Sequence, residues 1–88
     1  MTEIIIYTKD YCPHCVKVKE LFKIKGYTEF KEIDITHSSE LQQEMLSKAN
    51  GKKTVPQVFV NGVHVGGCDD TYALDKAGKL DGLLKANG

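Results

Sequence analysis

Residues 58–65 read Val-Phe-Val-Asn-Gly-Val-His-Val, and few stretches of this length restrict a chain more. Two short apolar runs flank Asn61-Gly62. That dipeptide suits the two positive-φ positions of a type I′ turn, whose twist matches that of paired antiparallel strands. A β-hairpin is therefore expected in the second half of the chain.

The first half reads differently. Residues 1–8, Met-Thr-Glu-Ile-Ile-Ile-Tyr-Thr, are dense enough in β-branched and aromatic side chains for a short buried strand. After the polar turn Lys9-Asp10-Tyr11, apolar residues recur at helical spacing from Pro13 to Lys25. Cys15, Val18 and Phe22 share one stripe with Leu21 beside it, while Lys17, Lys19, Lys23 and Lys25 supply the wet face. Gly26 closes this helix as a C-terminal cap. Phe30 to Ile35 alternates well enough for a second strand, giving a βαβ unit with a right-handed crossover.

Ser38 or Ser39 caps a second helix running to Ala49, with Gln42 placed three residues after Ser39 as in a capping box, and Asn50-Gly51 breaks it. Asp69 or Asp70 caps a third helix through Ala77, stopped by Gly78, and a short last helix covers Asp81 to Ala86. The sum is βαβ, then α, a β-hairpin and α. This is an α/β, thioredoxin-like layout over residues 1–88 as one domain, with a four-stranded mixed sheet covered by helices on both faces.

The chemistry is concentrated in Cys12-Pro13-His14-Cys15, which places two thiols one helical turn apart directly after the first strand and its turn. Pro13 suits the first position of a helix, where its missing N–H has no intrahelical partner. Cys12 then occupies the N-cap. Unpaired N–H groups and the positive end of the helix dipole favour a thiolate there, and the thiolate is the nucleophile of disulfide exchange. Cys15, one turn inside on the apolar stripe, should be more buried and less acidic, as suits a resolving thiol.

Composition narrows the class. A chain of 88 residues carrying twelve basic and twelve acidic side chains gives no electrostatic reason to bind nucleic acid or an anionic membrane. No apolar run reaches the roughly 18 residues needed to span a bilayer, and the first residues do not resemble a secretion signal, so the expected location is cytoplasmic. Three cysteines cannot all pair within one chain, which fits a transient catalytic disulfide better than a structural one. Zinc would need four ligands, and the sequence offers no second closely spaced pair. No metal is expected.

Three separated motifs resemble those of a dithiol glutaredoxin of the short bacterial type: Tyr7-Thr8-Lys9 leading into Cys12-Pro13-His14-Cys15, then Thr54-Val55-Pro56, then Gly66-Gly67-Cys68-Asp69-Asp70. The resemblance spans nearly the whole chain. It implies a glutathione-dependent thiol-disulfide oxidoreductase, with glutathione as reductant and co-substrate. Cys12 would be its nucleophile and Cys15 its resolving thiol. It implies a cis Pro56, with the backbone of Val55 pairing with the cysteinyl part of glutathione. Gly67, Cys68, Asp69 and Asp70 would receive the γ-glutamyl end, Asp70 through its side chain and Asp69 through its backbone. Lys9, with Lys53 or Lys52, would hold the glycyl carboxylate, and Thr54, Tyr11 and His14 complete the glutathione-binding set. Family-typical acceptors are glutathionylated proteins and disulfides such as that of ribonucleotide reductase, met by a monomer.

His14 departs from the family pattern, which has tyrosine at that position. An imidazolium beside two sulfurs would further stabilise the Cys12 thiolate and the reduced state. An iron-sulfur cluster bridging two chains through Cys12 is the strongest rival reading, and Pro13 weighs against it by resemblance. Cys68 reads as a small packed residue, and His37 and His64 as solvated or packed side chains.

Overall fold

The computed structural model describes residues 2–85. Its elements run β1 (Ile4–Thr8), α1 (Pro13–Ile24), β2 (Lys31–Asp34), α2 (Ser39–Lys48), β3 (Gln57–Val60), β4 (Val63–Gly66), α3 (Cys68–Lys76) and α4 (Lys79–Lys85). The sheet order is β2-β1-β3-β4, with β1 parallel to β2 and the other neighbours antiparallel. The sheet is mixed, as the crossover and the hairpin together require.

The hairpin turns at Asn61 and Gly62 with φ of 50° and 83°, the positive pair of a type I′ turn. Its register slips between Val58 and Phe59: Phe59 faces His64, and Val58 faces Gly66. The slip is a β-bulge in which β4 supplies an extra residue.

Side chains alternate across β1 and divide the core. Ile4 and Ile6, with Val58 and Val60 of β3, pack against Val18, Leu21 and Phe22 of α1, Cys68 of α3, and Leu80 and Leu84 of α4. Tyr7 and Phe59 point to the opposite face, where Met45 and Ala49 at the end of α2 cover them together with Ile35. Helices therefore lie on both faces of the sheet. Lys25 ties the first layer together through Asp75 at 2.6 Å and Asp81 at 2.9 Å.

Helix α1 ends in a Schellman motif. Tyr27 N–H donates to Phe22 O at 2.8 Å and Gly26 N–H to Lys23 O at 3.0 Å, and Gly26 adopts φ of 90°. Helix α2 ends the same way, with Asn50 at φ of 56° and Gly51 N–H donating to Leu46 O at 2.8 Å.

Three sequence expectations are corrected. Ser38 is the N-cap of α2, its hydroxyl accepting from Leu41 N–H at 3.1 Å, so Ser39 and Gln42 form no capping box. Gln42 instead donates its side-chain amide to Ile35 O at 3.0 Å. Helix α3 starts at Cys68 with Gly67 as its N-cap, because Asp70 reaches back to the Gly67 N–H from the third helical position. Neither Asp69 nor Asp70 is the cap. Helix α4 begins two residues earlier than expected, at Lys79, and the expected end at Ala86 lies outside the described residues. No helix among the described residues is long and apolar enough to cross a membrane.

Candidate active site

Cys12 closes the turn between β1 and α1. Its backbone is extended, with φ of −152° and ψ of 95°, and its sulfur accepts the N–H of Cys15 at 3.1 Å, so a sulfur occupies the capping site of α1. Cys12 and Cys15 are joined as a disulfide, their Cα atoms 5.2 Å apart. Cys15 is only 2% exposed, whereas Cys12 is half-buried and His14 exposed. The two cysteines thus differ in burial as the sequence predicts, with Cys12 the more accessible of the pair.

The loop that presents Cys12 is tied down by the end of β2. Asp10 N–H donates to Thr36 Oγ1 at 2.8 Å, and the Thr36 hydroxyl and N–H both donate to Asp34 Oδ1, at 2.5 and 2.8 Å. These bonds hold the Asp34 carboxyl below the usual carboxylate range.

Beside the disulfide lies a cleft of about 300 Å³ lined by His14, Lys52, Thr54, Val55, Pro56, Gln57, Gly67, Cys68, Asp69 and Asp70. Three chain segments distant in sequence meet here: the start of α1, the turn into β3 and the first turn of α3. The Val55–Pro56 peptide is cis. Gly67 passes so close to this turn that a Cβ on it would stand 3.5 Å from Pro56 O. Asp70 Oδ2 accepts from Gly67 N–H at 3.1 Å and faces Lys52 Nζ at 3.9 Å.

Of the residues proposed from sequence, His14, Thr54, Val55, Pro56, Gly67, Cys68, Asp69 and Asp70 share this cleft. Lys9 and Lys53 do not line it; they line a separate cavity of about 230 Å³ with Ile35, Gln42, Met45 and Leu46. Lys52 lines the cleft itself, where its Nζ stands 3.9 Å from Asp70 Oδ2. Tyr11 is 86% exposed and lines neither cavity. Cys68 is buried at the first turn of α3, and burial together with Asp69 pushes its thiol pKa up, which disfavours a thiolate. Gln57 is the cleft residue that sequence reasoning missed; its place directly after Pro56, at the head of an otherwise apolar strand, was the available signal.

A mixed four-stranded sheet that carries a two-cysteine disulfide at the N-terminus of its first helix defines a redox protein of the thioredoxin fold. The glutaredoxin family model matches residues 4–65. A glutaredoxin of Pseudomonas aeruginosa is 48% identical over 86 residues, covering 98% of this chain and 100% of that protein. The solution structure of a glutaredoxin from Brucella melitensis superposes with a TM-score of 0.84 at 50% identity, over 100% of this chain and 94% of that one. The crystal structure of a buckwheat glutaredoxin-glutathione complex gives a TM-score of 0.85 at 33% identity, over 97% of this chain and 78% of that one. This chain belongs to the glutaredoxin family.

Proposed function

We propose that the protein is a glutathione-dependent thiol-disulfide oxidoreductase that reduces both glutathione mixed disulfides and protein disulfides. The observation that carries this reading is the juxtaposition of the half-buried Cys12, bonded to a buried Cys15, with the cleft between Thr54-Val55-Pro56 and Gly67–Asp70. A similar fold in complex with glutathione supports it.

The cycle starts from the dithiol. In the first branch the Cys12 thiolate attacks the glutathione sulfur of a mixed disulfide; a Cys12–glutathione bond forms and the substrate leaves as a thiolate. A second glutathione thiolate attacks the bound glutathione sulfur, releasing oxidised glutathione and restoring the Cys12 thiolate. In the second branch Cys12 attacks a protein disulfide, and Cys15 attacks Cys12 to expel the substrate as a dithiol. The Cys12–Cys15 bridge is then reduced by two glutathiones, which leave as one molecule of oxidised glutathione.

Each part of the site has a task in this cycle. The capping position stabilises the leaving and attacking forms of Cys12, because the N–H of Cys15 donates to sulfur more strongly when that sulfur is anionic. Burial keeps Cys15 out of the first branch. The backbone of Val55 would pair with the cysteinyl unit of glutathione in the manner of an added strand. Asp70 would bind the γ-glutamyl ammonium, the free N–H groups at the start of α3 its carboxylate, and Lys9 and Lys53 the glycyl carboxylate. Glutathionylated proteins and disulfides such as that of ribonucleotide reductase are the acceptors that the family resemblance proposes, in a reducing, cytoplasmic setting.

Glutathione-coupled reduction of a glutathionylated peptide tests the reading with wild type, Cys12→Ser and Cys15→Ser. The expected result is turnover by wild type and Cys15→Ser and none by Cys12→Ser. An inactive wild type overturns the assignment.

A further inference from the structure

Gln57 is fully buried at the head of β3 and is one of the residues that line the cleft. A buried primary amide must find partners for two donor hydrogens and a carbonyl oxygen, and the cost of leaving them unpaired falls on folding. Gln57 Nε2 donates to Thr54 O at 2.9 Å and to Thr54 Oγ1 at 3.3 Å. With Nε2 turned to Thr54, Oε1 is left to accept, and His64 Nε2 stands 2.8 Å from it. The His64 nitrogen is therefore the donor, a role that either the neutral Nε2–H tautomer or the imidazolium can fill.

The imidazole is itself held in place. His64 pairs with Phe59 across the hairpin, and the two rings lie 4.9 Å apart with an interplanar angle of 30°. Phe59 in turn packs edge-on against Tyr7 at 5.7 Å. Gln57 lies two residues before Phe59 and so on the same face of β3. The hairpin thus delivers a directed chain of hydrogen bonds, from His64 to Gln57 to Thr54, that ends on the first residue of the Thr54-Val55-Pro56 segment.

We propose that Gln57 and His64 are positioning residues for glutathione: by fixing the carbonyl and hydroxyl of Thr54 from behind, they hold the Val55 backbone in the orientation that the tripeptide pairs with. The inference rests on the glutathione reading above and adds to it two residues behind Thr54, Gln57 in the cleft lining and His64 outside it. His64 acts only through Gln57, and Gln57 only through Thr54. Neither takes part in the chemistry of Cys12.

The test is a cycle of Gln57→Leu, His64→Phe and the double variant, assayed for glutathione KM and kcat and for the rate at which iodoacetamide alkylates reduced Cys12. Gln57→Leu is expected to raise KM about tenfold, the equivalent of one to two buried hydrogen bonds, with kcat and the alkylation rate unchanged. His64→Phe keeps a ring against Phe59 and removes only the donor, and it should raise KM about threefold. Because His64 works through Gln57, the double variant should be no worse than Gln57→Leu alone.

An unchanged KM in Gln57→Leu beside an active wild type overturns the inference and leaves the glutathione reading standing. Multiplicative effects in the double variant, or a fall in alkylation rate, also overturn it. A wild type that does not turn over with glutathione removes both. If circular dichroism shows Gln57→Leu to be unfolded, His64→Phe decides alone: a raised KM with unchanged alkylation supports the relay, and an unchanged KM overturns it.

Discussion

The carboxylate of Asp70 accepts the N–H of Gly67 at 3.1 Å, so one acidic side chain both closes the first turn of α3 and forms an end of the cleft. Helix capping and the proposed glutathione contact thereby fall on one residue. Asp70→Ala should lower unfolding free energy by about 1 kcal/mol through loss of the capping bond. Asp70→Asn keeps an oxygen for Gly67 and should leave stability nearly unchanged. If Asp70 binds the γ-glutamyl ammonium as proposed, both should raise the glutathione KM by about 10- to 100-fold, since each would lose a charge-assisted bond. Urea unfolding beside steady-state kinetics separates the two roles.

Gly66 is required by both backbone and space. Its φ is 119°, and a Cβ there would lie 2.9 Å from the Cβ and Cγ of Asp70. Gly66→Ala is expected to cost about 1 to 3 kcal/mol in unfolding free energy from the backbone alone. It should also raise the glutathione KM by displacing Asp70. A variant of wild-type stability and KM would show that the turn relaxes freely.

Tyr7 makes stability depend on alkaline pH. Burial and the bond from its hydroxyl to Glu44 Oε2 at 2.7 Å push its pKa up to about 12. The unfolded phenol ionises near 10. Between those values the unfolded state binds fewer protons than the native state, so stability is complete below about pH 10 and falls as pH rises toward 12, by about 1.4 kcal/mol per pH unit. Urea midpoints across this range should show that slope in wild type and a shallower one in Tyr7→Phe. Equal slopes would mean that Tyr7 ionises normally in the folded protein.

The features that proved legible in the sequence are those governed by short-range chemistry. Asn61-Gly62 sets its own dihedral angles, and Pro13 with the stripe of Cys15, Val18, Leu21 and Phe22 fixes both the start and the inward face of α1. What stayed hidden depends on tertiary register. Ser38 and Ser39 are equivalent as caps until the bond to Leu41 selects the first. The start of α3 is signalled backward, from Asp70 to a glycine that has no side chain of its own. Lys52 and Lys53 are adjacent, yet they line different cavities. Gln57 occupies a position that strand patterning assigns to an apolar residue, and its partner His64 reaches it only because the hairpin folds back.

The most direct test of the central claim is intact-mass and peptide analysis of Cys15→Ser after incubation with oxidised glutathione. Without a resolving thiol, the mixed disulfide cannot collapse to the Cys12–Cys15 bridge. The account predicts a single glutathione adduct located on Cys12, released by added reduced glutathione. No adduct, or an adduct located on Cys68 with Cys12 unmodified, would contradict it.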